Sequence, residues 1–351
     1  IRQMSGKNFL QLQLSGILIN TWIAYHRNNY RENREMCGIA GVINRSKKSV
    51  NVGEQMRLML QGIKHRGPDS TGYAMYGTPL KTGFILRFKI SENAVQVKGS
   101  AKTEDPEVLI SRKKQVDALM KEHGAKITKQ SNSTPYAFRY EFTYKNENLE
   151  ELAKAIETVE NTEILSIGKG LELIKDLGDA TVVSDQYGLG KFMGTHGIGH
   201  TRMATESDVD IKSAHPYWAF PYQDVAVVHN GQLTNYWGNR RILERNGYRF
   251  NSDCDSEIIA VYIADKMSKG IELEQAMNDS LDELDGVFTY IVSTKNQLGM
   301  AKDHMAAKPM VIYEGKDIVA CASEEVAIRN IFPHEIITYD PYEAEVKVWQ
   351  V

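Results

Sequence analysis

Three cysteines in 351 residues are too few and too scattered to staple a fold. Cys37, Cys254 and Cys321 make an odd count with no Cys-x-x-Cys spacing, which excludes a disulfide scaffold and an iron–sulfur cluster carried by this chain. The count fits a reducing, cytoplasmic setting in which a thiol is either packing or chemistry. No apolar run reaches the ~18 residues that a membrane-spanning helix needs. Charge of one sign is lacking too: 42 Lys and Arg stand against 45 Asp and Glu. That balance offers no basic field for nucleic acid and no acidic tail. The glycines at 188, 190, 194 and 197 do not form a Gly-x-Gly-x-x-Gly opening a helix, so a dinucleotide site is excluded. What remains is a globular chain, 42% hydrophobic, of one large or two modest domains.

Residues 1–36 stand apart from the rest. The chain begins with Ile1, and this stretch holds five basic side chains (Arg2, Lys7, Arg27, Arg31, Arg34) against Glu32 and Glu35. Its apolar part, 10–23, is broken by Gln11, Gln13, Ser15 and Asn20, and no small-x-small cleavage site follows. It reads as a leader, either a pro-segment or upstream translation ending at Met36, with the mature domain at 37–351.

Beyond Met36, 37–43 reads as a buried strand, and 51–64 as a helix with Val52, Met56, Met59, Leu60 and Ile63 at helical spacing. Strands are expected at 73–76, 84–90 and 136–144, and helices at 105–123 and 148–160, while 165–177 is ambiguous. Further strands are expected at 196–204 and 225–228, the latter ending at Asn230-Gly231. Helices follow at 234–246, 255–268 and 271–284. Strands at 287–293, 297–302, 309–313 and 317–322, a short helix from Ser323 and closing strands complete the pattern. Strand pairs joined by tight turns, with helices elsewhere, argue an α+β fold of largely antiparallel sheets.

Five segments carry chemistry. Cys37 directly follows Met36, and removal of Met36 would expose an α-amino group of pKa near 7.7–8.0 beside its own thiol, a usable base at neutral pH. Gly199-His200-Thr201-Arg202 ends a glycine-rich strand with a guanidinium able to grip a carboxylate. Asn230-Gly231 pairs an amide donor with an unobstructed backbone N–H, the two parts of an oxyanion hole. Ser252-Asp253-Cys254-Asp255 sets carboxylates at a helix start, suited to an ammonium group. His65-Arg66-Gly67-Pro68-Asp69-Ser70 is a turn cluster that completes the set.

In this order, with Cys directly after Met, the five segments resemble the class II glutamine amidotransferases, a branch of the N-terminal-nucleophile (Ntn) hydrolases. The resemblance covers 37–77 and about 190–330. It implies a four-layer αββα sandwich of mainly antiparallel sheets, with Cys37 as nucleophile and Asn230 and Gly231 as oxyanion hole. Arg202 would bind the glutamine α-carboxylate and Asp255 the α-amino group, with Thr205 lining the pocket and Arg66 and Asp69 in support. Lys302-Asp303-His304, Lys308-Pro309 and Ala322-Ser323-Glu324 are similar to the family's closing strands. Met203 and Glu206 depart from the Trp and His common there, which bears on the pocket wall. Between Gly72 and Gly199 the interval exceeds the family's usual length, so an inserted α/β subdomain is expected at about 80–180.

The function implied is hydrolysis of L-glutamine to glutamate and ammonia, with no metal or cofactor in this chain. No acceptor module is expected within 37–351. The resemblance is nearest to a stand-alone glutaminase subunit of glutamate synthase-like enzymes, whose partner synthase would carry FMN and iron–sulfur clusters. Two other classes remain open: an N-terminal-cysteine acylase of different specificity, and a non-catalytic regulatory scaffold. His196 and His200 read as packing rather than a metal pair, since four strand residues span over about 12 Å. His215, Cys254 and Cys321 read as packing or wall residues, and Arg112-Lys113-Lys114 as a solvated helix face.

Overall fold

The computed structural model describes residues 37–46, 48–91, 104–146, 148–203, 214–220 and 224–351. The expected leader at 1–36 and the pocket residue Thr205 lie outside these. In chain order the elements are β1 (Gly38–Asn44), α1 (Val52–Gly62), β2 (Ser70–Gly77), β3 (Phe84–Lys89), α2 (Pro106–Glu122), β4 (Ala125–Asn132), β5 (Ala137–Tyr144), α3 (Leu149–Ile156), β6 (Glu163–Gly168), β7 (Leu171–Leu177) and α4 (Ala180–Tyr187). They continue with β8 (Gly194–Arg202), β9 (Tyr217–Trp218), β10 (Ala226–Leu233), α5 (Tyr236–Arg245), α6 (Ser256–Ser268), α7 (Leu273–Glu283), β11 (Gly286–Ser293), β12 (Gln297–Lys302), β13 (Val311–Glu314), β14 (Ile318–Ala322), α8 (Glu325–Arg329) and β15 (Val346–Gln350).

Several helices begin where their sequence supplies a cap. Asn51 Oδ1 accepts the Glu54 N–H at 3.1 Å to open α1, and Asp105 accepts the Glu107 N–H at 2.9 Å before Pro106 opens α2. Asp179 accepts the Thr181 and Val182 N–H groups to start α4.

Two antiparallel sheets form the larger part of the fold. One has the order β13-β14-β1-β8-β2-β7, the other β15-β12-β11-β10-β9. They pack face to face, with β1 and β8 against β10 and β11. Helices α1 and α4 cover the outer face of the first sheet, and α6 and α7 that of the second. This is the αββα sandwich. It explains why every residue of β1 is buried: the strand is central in its sheet and covered on both faces.

A third antiparallel sheet, β4-β5-β3-β6, arises within the expected insertion. Its Phe88, Phe138 and Tyr140 rings pack edge and face, while Tyr140 reaches Asp117 of α2. The separate sheet runs only from 84 to 168. The ambiguous segment 165–177 is divided at a turn, and β7 joins the six-stranded sheet by pairing with β2. The expected solvated face at Arg112 is corrected: Arg112 is buried, donating to Ile90 O at 3.1 Å and paired with Glu104 at 2.6 Å. A guanidinium with such partners is held inside, whereas Lys114 is exposed.

The third sheet is fastened to β7 by buried charge. Lys89 Nζ lies 3.0 Å from Asp176, and both are essentially inaccessible. The Tyr136 and Tyr187 hydroxyls also donate to Asp176, at 3.0 and 2.6 Å. Burial pulls the Lys89 ammonium down, opposed by Asp176. Removing one partner strands the other charge, so Lys89→Met should destabilise the fold by about 3–5 kcal/mol, and Lys89→Met with Asp176→Leu by clearly less. Urea titration of both variants checks this; a Lys89→Met cost below about 1 kcal/mol would refute it.

No helix among the described residues is long and apolar enough to cross a membrane.

Candidate active site

The register of the first sheet builds the site. Gly38 pairs with Thr201, and Thr201 with Thr71, so one further step sets Cys37 beside Arg202 at the strand end. Cys37 is half-buried. Burial pushes its thiol up, while the Met203 backbone N–H and the charges of Arg202 and Arg66 pull it back. The thiol thus meets the Met203 backbone N–H and feels the charge of two guanidinium groups.

Three elements converge on the Cys37 carbonyl and this strand end. Asn230 Nδ2, from β10 in the second sheet, donates to Cys37 O at 3.0 Å. Arg66 Nε, from the 3-10 turn Lys64–Arg66, donates to the same oxygen at 3.1 Å. The Asp69 N–H donates to Arg202 O at 3.1 Å, and Asp69 O accepts the Gly178 N–H, so Asp69 supports the site through its backbone. Gly67 is required here: a Cβ would stand 2.4 Å from the Arg202 carbonyl carbon.

Asn230-Gly231 was expected to end its strand, but β10 continues to Leu233. The ladder survives because Gly231 adopts φ +142°, with Val287 O at 2.1 Å from where a Cβ would be. Groups inside a paired strand are held more rigidly than groups on a turn, so Asn230 and Gly231 are fixed by the ladder. Asp255 lies at the start of α6; its Oδ2 accepts the Leu233 N–H at 2.7 Å and its Oδ1 the Ser256 hydroxyl at 3.2 Å. The carboxylate is thereby tied to the strand bearing Asn230.

Beneath the site, imidazoles are buried between the sheets. His200 stacks on His215 with ring centroids 4.0 Å apart, and His229 Nδ1 lies 2.7 Å from Ser256 Oγ. His196 stacks on Tyr76 at 4.2 Å and meets Thr294 O at 2.7 Å, so His196 and His200 have separate neighbours. Among the described residues no group of His, Cys, Asp and Glu is arranged to hold a metal. Burial also pushes the Cys321 thiol up to about 12 and raises that of Cys254.

Residues 200–330 match the glutamine amidotransferase domain family. Over 318 residues the chain is 36% identical to a protein of Methanothermobacter thermautotrophicus named as a glutamine amidotransferase, spanning 90% of this chain and 100% of that one. The chain belongs to the class II glutamine amidotransferases. A second relative, the glutamine amidotransferase-like protein GlxB of Rhizobium meliloti, is 32% identical, over 90% of this amidotransferase and 98% of GlxB. The glutamine phosphoribosylpyrophosphate amidotransferase of B. subtilis shares the fold at a TM-score of 0.54 and 17% identity, covering 90% of this chain and 47% of that one. The allosteric regulatory enzyme of purine biosynthesis does so at 0.52 and 17%, with 90% and 49% covered.

The reading of sequence placed Ser323 and Glu324 in a closing segment similar to the family's, but not their contacts with the amidotransferase site. Glu324 accepts Arg66 Nη1 at 2.6 Å, and Ser323 Oγ accepts the Ile39 N–H at 3.0 Å. By residue type alone, a Ser-Glu pair after an apolar strand is equally a helix start, so those contacts needed the tertiary structure.

Proposed function

We propose that this amidotransferase hydrolyses L-glutamine through Cys37 and passes the ammonia to a separate synthase subunit. The observation that carries the reading is the grip on the Cys37 carbonyl by Asn230 and Arg66, with the thiol beside Arg202. With Met36 removed, the α-amine of Cys37 takes the thiol proton as Sγ attacks the glutamine side-chain carbonyl carbon. An Asn amide carries two N–H bonds. One holds the Cys37 carbonyl, and the other, with the Gly231 N–H, receives the oxyanion. The protonated amine then gives its proton to the departing nitrogen, the C–N bond breaks, and ammonia leaves a γ-glutamyl thioester. Water, deprotonated by the same amine, cleaves the thioester to glutamate and free thiol. No electron leaves the substrate at any step, so the half-reaction calls for no redox cofactor.

Arg202 would hold the substrate α-carboxylate and Asp255 the α-ammonium, with Thr205 along the wall. Ammonia protonates in bulk water, so its release is useful only where a synthase receives it. The reading favoured is a glutamate synthase-like partner bearing FMN and iron–sulfur clusters, acting in the cytoplasm. What supports a separate partner is that two of the matched relatives, the M. thermautotrophicus protein and GlxB, are covered over 100% and 98% of their lengths by this one region.

Removing one oxyanion donor typically costs about 10²–10³ in kcat. Asn230→Ala is therefore expected to lower kcat for glutamate release by that factor, with KM changing far less. A variant turning over at more than a third of the wild-type rate would sink the assignment.

A further inference from the structure

The elbow between β14 and α8 reaches the nucleophile's strand from two sides. Ser323 Oγ accepts the Ile39 N–H, and the Ser323 N–H donates to Ile39 O at 2.9 Å, fixing the strand two residues beyond Cys37. Glu324 Oε1 accepts Arg66 Nη1 at 2.6 Å, and Arg66 Nε donates to Cys37 O at 3.1 Å. From the solvent side, His65 Nε2 lies 3.1 Å from each Glu324 oxygen. Arg66 is buried, whereas the Glu324 side chain is 31% accessible. Burial acts to raise the Glu324 carboxyl, but Arg66 and His65 hold it below the usual range, so it is ionised at neutral pH. A guanidinium is planar, and an anion fixed at Nη1 sets the direction of the Nε–H bond.

We propose that Glu324 is a positioning residue for amide cleavage. It orients Arg66, which with Asn230 fixes the Cys37 carbonyl, and so sets where the Cys37 thiol and main-chain nitrogen stand relative to the scissile amide. The inference rests on the reading of Cys37 as nucleophile. Glu324 is not among the groups assigned to hold glutamine, so its loss acts on turnover rather than on substrate affinity. A small misplacement of reacting groups is costly, which sets the size of the effect.

The test compares the processed wild-type enzyme with Glu324→Gln and Glu324→Asp. Glu324→Gln should lower kcat for glutamate release about 10- to 100-fold with KM for glutamine within about twofold. Glu324→Asp, which keeps the charge, should recover most of the loss. In parallel, alkylation of Cys37 is followed by mass spectrometry. The rate with a glutamine analogue bearing an electrophile at its side-chain end should fall in Glu324→Gln. The rate with iodoacetamide, which needs no such alignment, should not. Wild-type kcat and labelling rates in Glu324→Gln would overturn the proposal, as would equal losses in both variants accompanied by a lowered Tm. If the wild type neither releases glutamate nor reacts with the analogue at Cys37, the nucleophile assignment fails and this inference falls with it.

Discussion

Cys37→Ala is expected to abolish glutamine hydrolysis while leaving the fold in place. The substitution removes a single half-buried sulfur from a position just before β1. The bonds that hold the site together are made to the Cys37 carbonyl, by Asn230 and Arg66, and alanine keeps that carbonyl. Burial disfavours the thiolate, so the sulfur needs a base at the moment of attack, and the base proposed is its own α-amine. A wild-type chain that retains any residue ahead of Cys37 should therefore be as inactive as the alanine variant, because an acylated nitrogen cannot accept the proton. Glutamate release measured on both species checks this, with intact-mass determination of the N-terminus. Hydrolysis by Cys37→Ala at more than a few per cent of the wild-type rate would remove Cys37 from the mechanism.

Acid should unfold the domain through its histidines. Burial lowers His196 and His229 to about 4 and His200 to about 3, and takes His215 well below its ordinary value of 6.5. His229 is partly supported by Asp255 and opposed by Lys308, and His215 is further depressed by His200 and His229. In the unfolded chain all four protonate near pH 6.5; in the folded chain they stay neutral until far lower. The stability they allow is thus fully present above about pH 6.5. It is lost as pH falls towards about 4, where the unfolded state binds the extra protons. Each proton contributes about 1.4 kcal/mol per pH unit, so four together approach about 5 kcal/mol per unit. Against an ordinary stability of about 5–15 kcal/mol, that slope brings unfolding near pH 5. Urea titrations from pH 7.5 to 4.5 measure it. A dependence corresponding to fewer than one proton between pH 6 and 4.5 would show that the histidines are not buried as described.

Elements with a strong period were legible in the sequence, and those without one were not. Val52, Met56, Met59 and Leu60 announced α1 because one helix face is buried throughout. Strand β4 passed unnoticed because it is an edge: from Lys126 onward its residues are exposed or half-exposed, so neither face carries an apolar alternation. Helix α4 is eight residues with Val182 and Val183 near its start, and it exists because Asp179 caps it and α1 covers it. Arg112 sat in a basic run that looked solvated, and only Glu104 and Ile90 O, brought in from outside its helix, made it an interior residue.

Residue type and order along the chain determined the chemistry on offer. A cysteine after Met36, an arginine ending a strand, Asn230 beside a glycine and an aspartate opening a helix are choices of functional group that need no coordinates. Tertiary structure decided which of these groups meet. Cys37 and Asn230 are 193 residues apart in sequence and 3.0 Å apart at their bonded atoms, because β1 and β10 belong to different sheets whose faces pack together. Glu324 became a partner of Arg66 only because β14 pairs with β1 in a register that sets Ala322 against Ala40. Local pattern reports the period and polarity of one segment, whereas strand register and sheet packing are settled by the burial of the whole core. The sparse cysteine count therefore left few thiols available for chemistry, and the sandwich brings Arg66 and Asn230 onto the carbonyl of one of them, Cys37, with Arg202 beside it.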